Sequence, residues 1–146
     1  MAASGEGPFR QRPDLARLNA LLPGTAPGNL GIVLTEQGPD FLRATMPVDA
    51  RTKQPFGLLH GGSSVLLAET LASLGGYLCL DAEAGQQLAG LEINANHLRA
   101  VTEGRVTGTA RPIHVGRTTQ VWEIRIEDER GRLACIARMT GAVIRA

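Results

Sequence analysis

The stretch QPFGLLHGGSSVLLAETLASLGGYLCL, residues Gln54 to Leu80, decides the fold. It reads as a loop followed by a helix from about Gly62 to Leu80 that is apolar on almost every side. A helix that is hydrophobic all round must be covered on most sides. Glu69 carries the only formal charge in the stretch. A carboxylate there is costly unless it is solvated, paired or used in chemistry.

Strand-like runs lie on both sides of this helix. Residues 29–49 contain two such runs around the turn signal QGPD, which predicts an antiparallel hairpin. Four alternating runs follow the helix, at residues 87–101, 104–115, 117–129 and 132–144. In the third run, three apolar residues alternate with three charged ones, which is typical of a sheet with one buried face: Trp122, Ile124 and Ile126 against Glu123, Arg125 and Glu127.

These elements predict an α+β fold in which an antiparallel sheet of about six strands wraps around one long central helix. A short amphipathic N-terminal helix is predicted to start at Pro13, and the following PGTAPGN is predicted to break it. Residues 1–12 are expected to form a flexible arm, and residues 13–146 a single domain. The Gly and Ala residues of the central helix would let another helix or subunit approach closely.

Composition and charge argue against several classes of partner. Among 146 residues, 15 Lys and Arg oppose 14 Asp and Glu, so the formal charge is +1 and no field-driven attraction to nucleic acid or an anionic membrane is expected. The N-terminus has no apolar signal segment and no run is long enough to span a membrane, which favours the cytoplasm. Cys79 and Cys135 lie in apolar segments without CxxC spacing, which favours buried free thiols over a disulfide or a zinc site.

Several familiar catalytic and cofactor motifs are missing from the sequence. It has no GxSxG elbow of the serine hydrolases and neither the GxGxxG nor the GxxxxGKS/T signature of nucleotide sites. The three histidines, His60, His97 and His114, lack the close spacing of metal ligands. We therefore expect no metal and no cofactor.

The start of the central helix is a candidate site. Gly61 and Gly62 lie where the helix begins, and the first turn of a helix has N–H groups without intrahelical partners and a partial positive charge. Such an end can bind an anion or a developing oxyanion, and glycine lets a ligand approach the backbone. The alternative is that HGG only makes a tight turn into the helix.

Glu69 is the second candidate. A solvated helix face normally carries several charges, whereas this helix carries only Glu69. Ser73, four residues later, shares its face, so the carboxylate and the hydroxyl could hold a water molecule between them. Burial would raise the pKa of Glu69 and make it a better base near neutral pH, while its carboxylate remains a possible nucleophile. The alternative is a glutamate that simply faces solvent.

At these residues the sequence resembles a known family. The segment MPVDARTKQPFGLLHGGSSVLLAETLASLGGYLC, followed by GLEINANHLR and RPIHVGRTTQVWEIRI, closely resembles the hotdog-fold acyl-CoA thioesterases of the phenylacetate-degradation type, which include bacterial dihydroxynaphthoyl-CoA and aroyl-CoA hydrolases. The likeness extends from about Leu30 to Val143. It implies a hotdog fold and hydrolysis of an aromatic or medium-chain acyl-CoA to free acid and coenzyme A, which is part of the substrate.

The resemblance also implies roles for single residues. Glu69 is expected to be the catalytic nucleophile or general base, and the Gly61 N–H the oxyanion donor. His60 and Gln54 are expected to orient the thioester and its thiol leaving group, and Ser73 to help place the water. Contacts to coenzyme A are expected at two stretches and one glycine, with Arg111 as a further candidate for phosphate: Gly90; His97, Leu98 and Arg99; His114, Val115, Gly116, Arg117, Thr118 and Thr119.

The same resemblance implies a homo-oligomer, a tetramer built from dimers. Its sites lie at the dimer interface, with Glu69 from one subunit and Gln54, His60 and Gly61 from the other. Three other readings stay open: an acyl-thioester hydratase or dehydratase of the same fold, a non-catalytic acyl-CoA-binding module, and a structural oligomer. Release of free thiol would distinguish hydrolysis from the first two readings. The binding module could be the sensing domain of a DNA-binding regulator, but such a regulator would need a basic recognition segment that the N-terminus lacks.

Overall fold

A computed structural model describes residues 7–12 and 14–145 of the chain. The described part contains three helices, α1 (Leu15–Asn19), α2 (Ala26–Asn29) and α3 (Gly61–Leu78). It also contains six strands, β1 (Val33–Gln37), β2 (Leu42–Pro47), β3 (Gln86–His97), β4 (Arg105–Val115), β5 (Thr119–Glu127) and β6 (Leu133–Arg145).

The strands form one sheet in the order β1-β2-β4-β5-β6-β3, and every neighbouring pair is antiparallel. Helix α3 packs against five of its strands, β2 to β6. The predicted sheet of six strands around one central helix is therefore confirmed, as is the hairpin of β1 and β2. The two edge strands are β1 and β3.

The core lies between α3 and the concave face of the sheet. Trp122, Ile124 and Ile126 are fully buried there, which confirms the alternation predicted for β5. A Cβ at Gly75 would lie 3.0 Å from the Trp122 ring, and one at Gly76 would collide with Leu88. The glycine pair of α3 thus brings this helix close to its own sheet, whereas the sequence had suggested approach by another helix or subunit.

The N-terminal segment is only partly described. Residues 1–6 of the predicted arm and Pro13, the predicted helix start, lie outside the described residues. Residues 7–12 lie against the domain: the Phe9 ring is buried and stacks on Trp122 at 6.3 Å between centroids. The N–H groups of Arg10 and Gln11 both donate to the Leu78 carbonyl at the end of α3. Over these six residues the structure describes a bound segment, because Phe9 fills a place in the core.

The segment 23–29 differs from its prediction. PGTAPGN was expected only to break the first helix, but residues Ala26–Asn29 form the short helix α2. Thr25 is its N-cap residue and Pro27 lies in its first turn, where a proline is tolerated because its missing N–H would have no partner. α2 packs on the outer side of α3. None of the described helices has both the length and the apolar character needed to cross a bilayer.

Candidate functional site

The first turn of α3 presents an open backbone donor. His60 is the N-cap residue, and its Nδ1 accepts the Gly62 N–H at 2.8 Å. The His60 carbonyl accepts the N–H groups of Ser63 and Ser64 at 3.0 and 3.2 Å. Within the described part of the chain, the Gly61 N–H has no hydrogen-bond acceptor. The positive end of the helix therefore leaves one N–H group available for a ligand oxygen.

Two more side chains keep a donor: Gln54, which lines a cavity together with Gly61, and exposed His60, which does not line that cavity. Because Nδ1 of His60 accepts a hydrogen bond, the neutral ring carries its proton on Nε2, which can donate. The side-chain oxygen of Gln54 accepts the Phe56 N–H, which leaves the amide NH₂ of Gln54 as a donor. The Gly61 N–H, the His60 Nε2–H and the Gln54 NH₂ can each donate a hydrogen bond to an oxygen or sulfur atom that gains negative charge.

A cavity of about 370 Å³ opens beside this turn. Gln54 and Gly61 line it together with His97, Leu98 and Arg99, the residues just at and after the end of β3. A Cβ added to Gly61 would lie 2.7 Å from His97 Nε2. The structure thus brings one of the predicted coenzyme A stretches next to the predicted oxyanion donor.

Glu69 lies in a second cavity of about 460 Å³, together with Ser73. Its Oε1 is 3.0 Å from the position of a Cβ at Gly90 on β3, so the carboxylate lies against that glycine. Glu69 is exposed in the single chain. Of the two alternatives for Glu69, burial and a glutamate that faces solvent, the described part of a single chain shows the second.

The two cavities are separate. Glu69 follows Gly61 by eight residues on α3, which sets the two about 12 Å apart along the helix axis at about 1.5 Å per residue. A carbonyl carbon must approach the carboxylate while its oxygen meets the oxyanion donor, and these two contacts lie within about 3 Å of the reacting atoms. One chain does not bring Glu69 and Gly61 to one substrate carbonyl.

The second predicted coenzyme A stretch, residues 114–119, lies at the hairpin between β4 and β5. Val115, Gly116 and Arg117 line a cavity of about 490 Å³ that also contains Cys79. The hairpin is fixed by backbone bonds, since the Gly116 N–H donates to the Thr119 carbonyl at 2.9 Å.

The remaining residues predicted to contact coenzyme A here differ in whether their polar groups already have partners within the chain. The Thr118 carbonyl accepts the Val143 N–H at 2.9 Å, and the imidazole of His114 folds over Gly116. Arg111 instead forms an ion pair with Asp40 at 2.7 Å and stacks on Phe41, so both partners of its guanidinium belong to the chain itself.

The two cysteines were predicted to be buried free thiols rather than part of a disulfide or a zinc site. Cys79 and Cys135 are buried free thiols, as predicted. Burial raises the pKa of Cys79 to about 11, and its Sγ donates to the Gly75 carbonyl at 3.3 Å. Among the described residues, no group of three or more His, Cys, Asp or Glu side chains is placed to hold a metal ion.

Sequence reasoning missed one side of the Glu69 cavity. Leu21, Leu22, Thr25, Ala26 and Pro27, from the α1–α2 segment, face Glu69 and Ser73 across it. The segment had been interpreted only as a helix break. The signal that it held was Thr25 followed by Ala-Pro, which is typical of a capped helix start.

Comparisons with known proteins identify the family of the chain. A family model described as "Thioesterase superfamily" matches residues 56–135. The 1,4-dihydroxy-2-naphthoyl-CoA hydrolase of Escherichia coli K12 is 53% identical over 136 residues, which are 93% of this chain and 98% of the relative. The "Proofreading thioesterase EntH" of Cronobacter sakazakii is 52% identical over 136 residues, with the same two coverages of 93% and 98%.

Solved structures show the same arrangement of helix and sheet. A thioesterase of Haemophilus influenzae superposes with a TM-score of 0.90 at 50% identity and covers 94% of each chain. A mutant thioesterase PA1618 of Pseudomonas aeruginosa superposes with a TM-score of 0.91 at 52% identity and covers 93% of this chain and 97% of its own. The hotdog fold implied by the sequence resemblance is confirmed.

Proposed function

Because this chain belongs to the thioesterase superfamily and is a thioester hydrolase, we propose that it cleaves an aromatic or medium-chain acyl-CoA to the free acid and coenzyme A. The observation that carries the proposal is the Gly61 N–H, which has no acceptor in the described part of the chain and stands at the positive end of α3. The name of the Escherichia coli relative describes a naphthoyl-CoA substrate, which supports an aromatic acyl group.

The working site needs two copies of the chain. Glu69 and Gly61 lie about 12 Å apart along one helix, too far to act on one carbonyl. A second copy that offers its own helix start to Glu69 removes this separation. The proposed enzyme is therefore a dimer with two equivalent sites at its interface, and the tetramer is a pair of such dimers.

Strand β3 suits such a pairing. It is an edge strand of 12 residues with β6 on one side only, and most of its side chains are exposed, including Leu91 at 64%. A long open edge is a template for pairing with another strand. Two copies of β3 can join antiparallel about a two-fold axis and make one continuous sheet.

The contacts of β3 favour one register for this pairing. Glu69 lies against Gly90, and Gly61 lies against His97. If Gly90 stands opposite His97 of the partner subunit, Glu69 faces Gly61 of the partner subunit. Directly opposed residues of antiparallel strands have Cα atoms only about 4.5 to 5.5 Å apart. This register brings the carboxylate and the oxyanion donor within reach of one thioester.

In the proposed reaction the thioester oxygen accepts the Gly61 N–H, and negative charge that develops on it is stabilised at the helix start. One such donor supplies about a hundredfold to a thousandfold in rate. The His60 Nε2–H and the Gln54 amide are donors that can hold the thioester and the departing sulfur. They would lower the energy of the thiolate as it leaves.

Glu69 supplies the second half of the chemistry by one of two routes. As a general base it takes a proton from a water held near Ser73, the oxygen of that water bonds to the carbonyl carbon, and the C–S bond breaks. As a nucleophile its own oxygen bonds to the carbon and expels the thiolate, and water then cleaves the mixed anhydride. Both routes give the free acid, and the thiolate of coenzyme A gains a proton.

We assign the remainder of coenzyme A to the exposed guanidinium groups of Arg99 and Arg117. Neither forms a salt bridge within the described residues, whereas Arg111 is already paired with Asp40. Guanidinium groups match phosphate oxygens in a fork of two hydrogen bonds. The loops that carry them, after β3 and between β4 and β5, also contain His97, His114 and Gly116.

The test is free thiol release from benzoyl-, hydroxynaphthoyl- and medium-chain acyl-CoA, with the parent protein beside Glu69→Gln. Glu83→Gln is the matched control, because Glu83 is an exposed glutamate outside both cavities. We expect Glu69→Gln to lower kcat by about a hundredfold to ten-thousandfold and Glu83→Gln to leave it unchanged. A parent protein that binds acyl-CoA but releases no thiol would exclude hydrolysis and leave the binding module or the hydratase.

A further inference from the structure

Two cavities follow each other along the outer side of α3. The first, of about 460 Å³, contains Glu69 and Ser73. The second, of about 440 Å³, contains Tyr77, one helical turn after Ser73, together with Gln11, Arg12, Arg17 and Leu18. Leu21 is the residue that lines both. Its side chain therefore lies at the boundary that the two cavities share, and we call it the partition.

The backbone that carries this partition is held firmly. The neighbouring side chains of Leu18 and Leu22 are buried in the core. The side chain of Asn19 donates to the Leu34 carbonyl at 2.9 Å and accepts the Leu34 N–H at 2.8 Å, which ties α1 to β1. Leu21 itself remains 58% exposed, although it lies on a fixed turn. A leucine that is exposed to the cavity of a catalytic carboxylate is available to contact an apolar ligand.

We propose that Leu21 sets the length of the acyl group that the enzyme accepts. The inference rests on the proposed function, because it assigns the acyl end of that substrate to the Glu69 cavity. A volume of about 460 Å³ is in the range of small-molecule pockets. With Leu21 present, the acyl group ends against its side chain. With a smaller residue, the pocket continues into the space beside Leu18 and Tyr77.

The consequence for specificity follows from the size of the side chain. A matched or unmatched methylene in an apolar pocket changes kcat/KM by about tenfold or more. Leu21→Ala removes the partition and should favour longer chains. Leu21→Phe extends it into the Glu69 cavity and should favour shorter chains. Neither change replaces Glu69, Ser73 or a residue at the start of α3, so the reacting groups themselves are kept.

The experiment measures kcat/KM by thiol release for hexanoyl-, decanoyl- and tetradecanoyl-CoA with the parent, Leu21→Ala and Leu21→Phe. Val33→Ala is the matched control, since Val33 is an exposed aliphatic residue on β1 that lines neither cavity. The readout is the ratio of two substrates within one preparation, which does not depend on the fraction of folded enzyme. We expect the tetradecanoyl to hexanoyl ratio to rise about tenfold in Leu21→Ala and to fall in Leu21→Phe.

The possible failures are distinguishable. A parent protein that hydrolyses all three substrates, with the same ratios in Leu21→Ala, Leu21→Phe and Val33→Ala, would overturn the role of Leu21 and leave the proposed function intact. A parent that hydrolyses no acyl-CoA would overturn the proposed function and this assignment together. An equal shift in Val33→Ala would show a general effect of truncation and would also refute the partition.

Discussion

At the residue scale, His60 has two separable tasks. Its Nδ1 caps α3 by accepting the Gly62 N–H, and its Nε2–H is the donor assigned to the substrate. The cap should contribute to the stability of the fold, whereas the proposed donor should contribute to the rate of hydrolysis. HGG in the sequence showed that a turn and a helix start lie here. That Gly61 keeps the open N–H follows only from how the His60 ring and carbonyl use the neighbouring donors.

Two substitutions at this position separate the tasks. His60→Asn keeps a good capping acceptor but lacks the imidazole Nε2–H, so the melting temperature should stay near that of the parent while kcat falls at least tenfold. His60→Ala should lose the activity and also about 1 kcal/mol of stability. Thermal unfolding and thiol release are the two measurements. Full activity in His60→Asn would show that the histidine serves only as a cap.

Cys79 gives a prediction for alkaline pH. In the unfolded chain this thiol ionises near its ordinary pKa of 9.0, whereas burial raises its folded pKa to about 11. The folded state therefore keeps the thiol proton to a higher pH than the unfolded state. The contribution of this thiol to the free energy of unfolding is present below pH 9.0 and is lost as the pH rises towards about 11. Melting temperatures across this range should fall more steeply for the parent than for Cys79→Ala. Equal slopes would mean that the thiol is accessible to water.

At the scale of the elements, the strands and the central helix were predictable because each carries its own periodicity. The hairpin of β1 and β2, the alternation of β5 and the apolar run of α3 all follow from local pattern. The position of the N-terminal segment was not predictable from the sequence, because Phe9 lies in a polar, proline-containing stretch and takes its place in the core only by stacking on Trp122. The Glu69 cavity wall from residues 21–27 was missed for the same reason, since its position depends on the packing of α1 against β1 and of α2 against α3.

The contribution of this segment can be measured with two phenylalanines. Phe9→Ala removes a buried ring from the core and should lower the free energy of unfolding by about 3 kcal/mol. Phe56→Ala is the control, because that ring is 89% exposed in the loop before α3, and we expect its effect on stability to be within about 0.5 kcal/mol. Urea denaturation reports both. Equal stability of the two variants would show that residues 7–12 are not bound in solution.

At the scale of the whole molecule, the proposed site shared between two subunits is the main feature that sequence spacing does not give. Spacing places Gly61 and Glu69 on one helix but says nothing of a second chain, so the crossing of subunits came only from the family resemblance. The observation in the structure that supports this proposal is that Glu69 and Gly61 line different cavities. The open edge of β3 supplies the route by which a second copy can join them.

The two edges of the sheet should respond differently to charge. Leu91→Lys places a cation on the exposed edge strand β3, where two copies would meet as like charges, so we expect dissociation to monomers together with loss of hydrolysis. Val33→Lys makes the same change on the opposite edge, β1, and should leave the dimer intact. Light scattering gives the mass of each variant. An active Leu91→Lys monomer would refute the shared site.

The most direct measurement is complementation between two inactive chains, Glu69→Ala and His60→Asn, mixed by co-expression with different affinity tags. A mixed dimer joins the intact Glu69 of one chain to the intact His60 of the other and restores one site of two. Random pairing of chains within the dimers then recovers about a quarter of the parent's thiol release, whether or not two dimers join in a tetramer. Doubly tagged dimers that stay inactive would contradict a site shared between subunits and place Glu69 and His60 in separate functions.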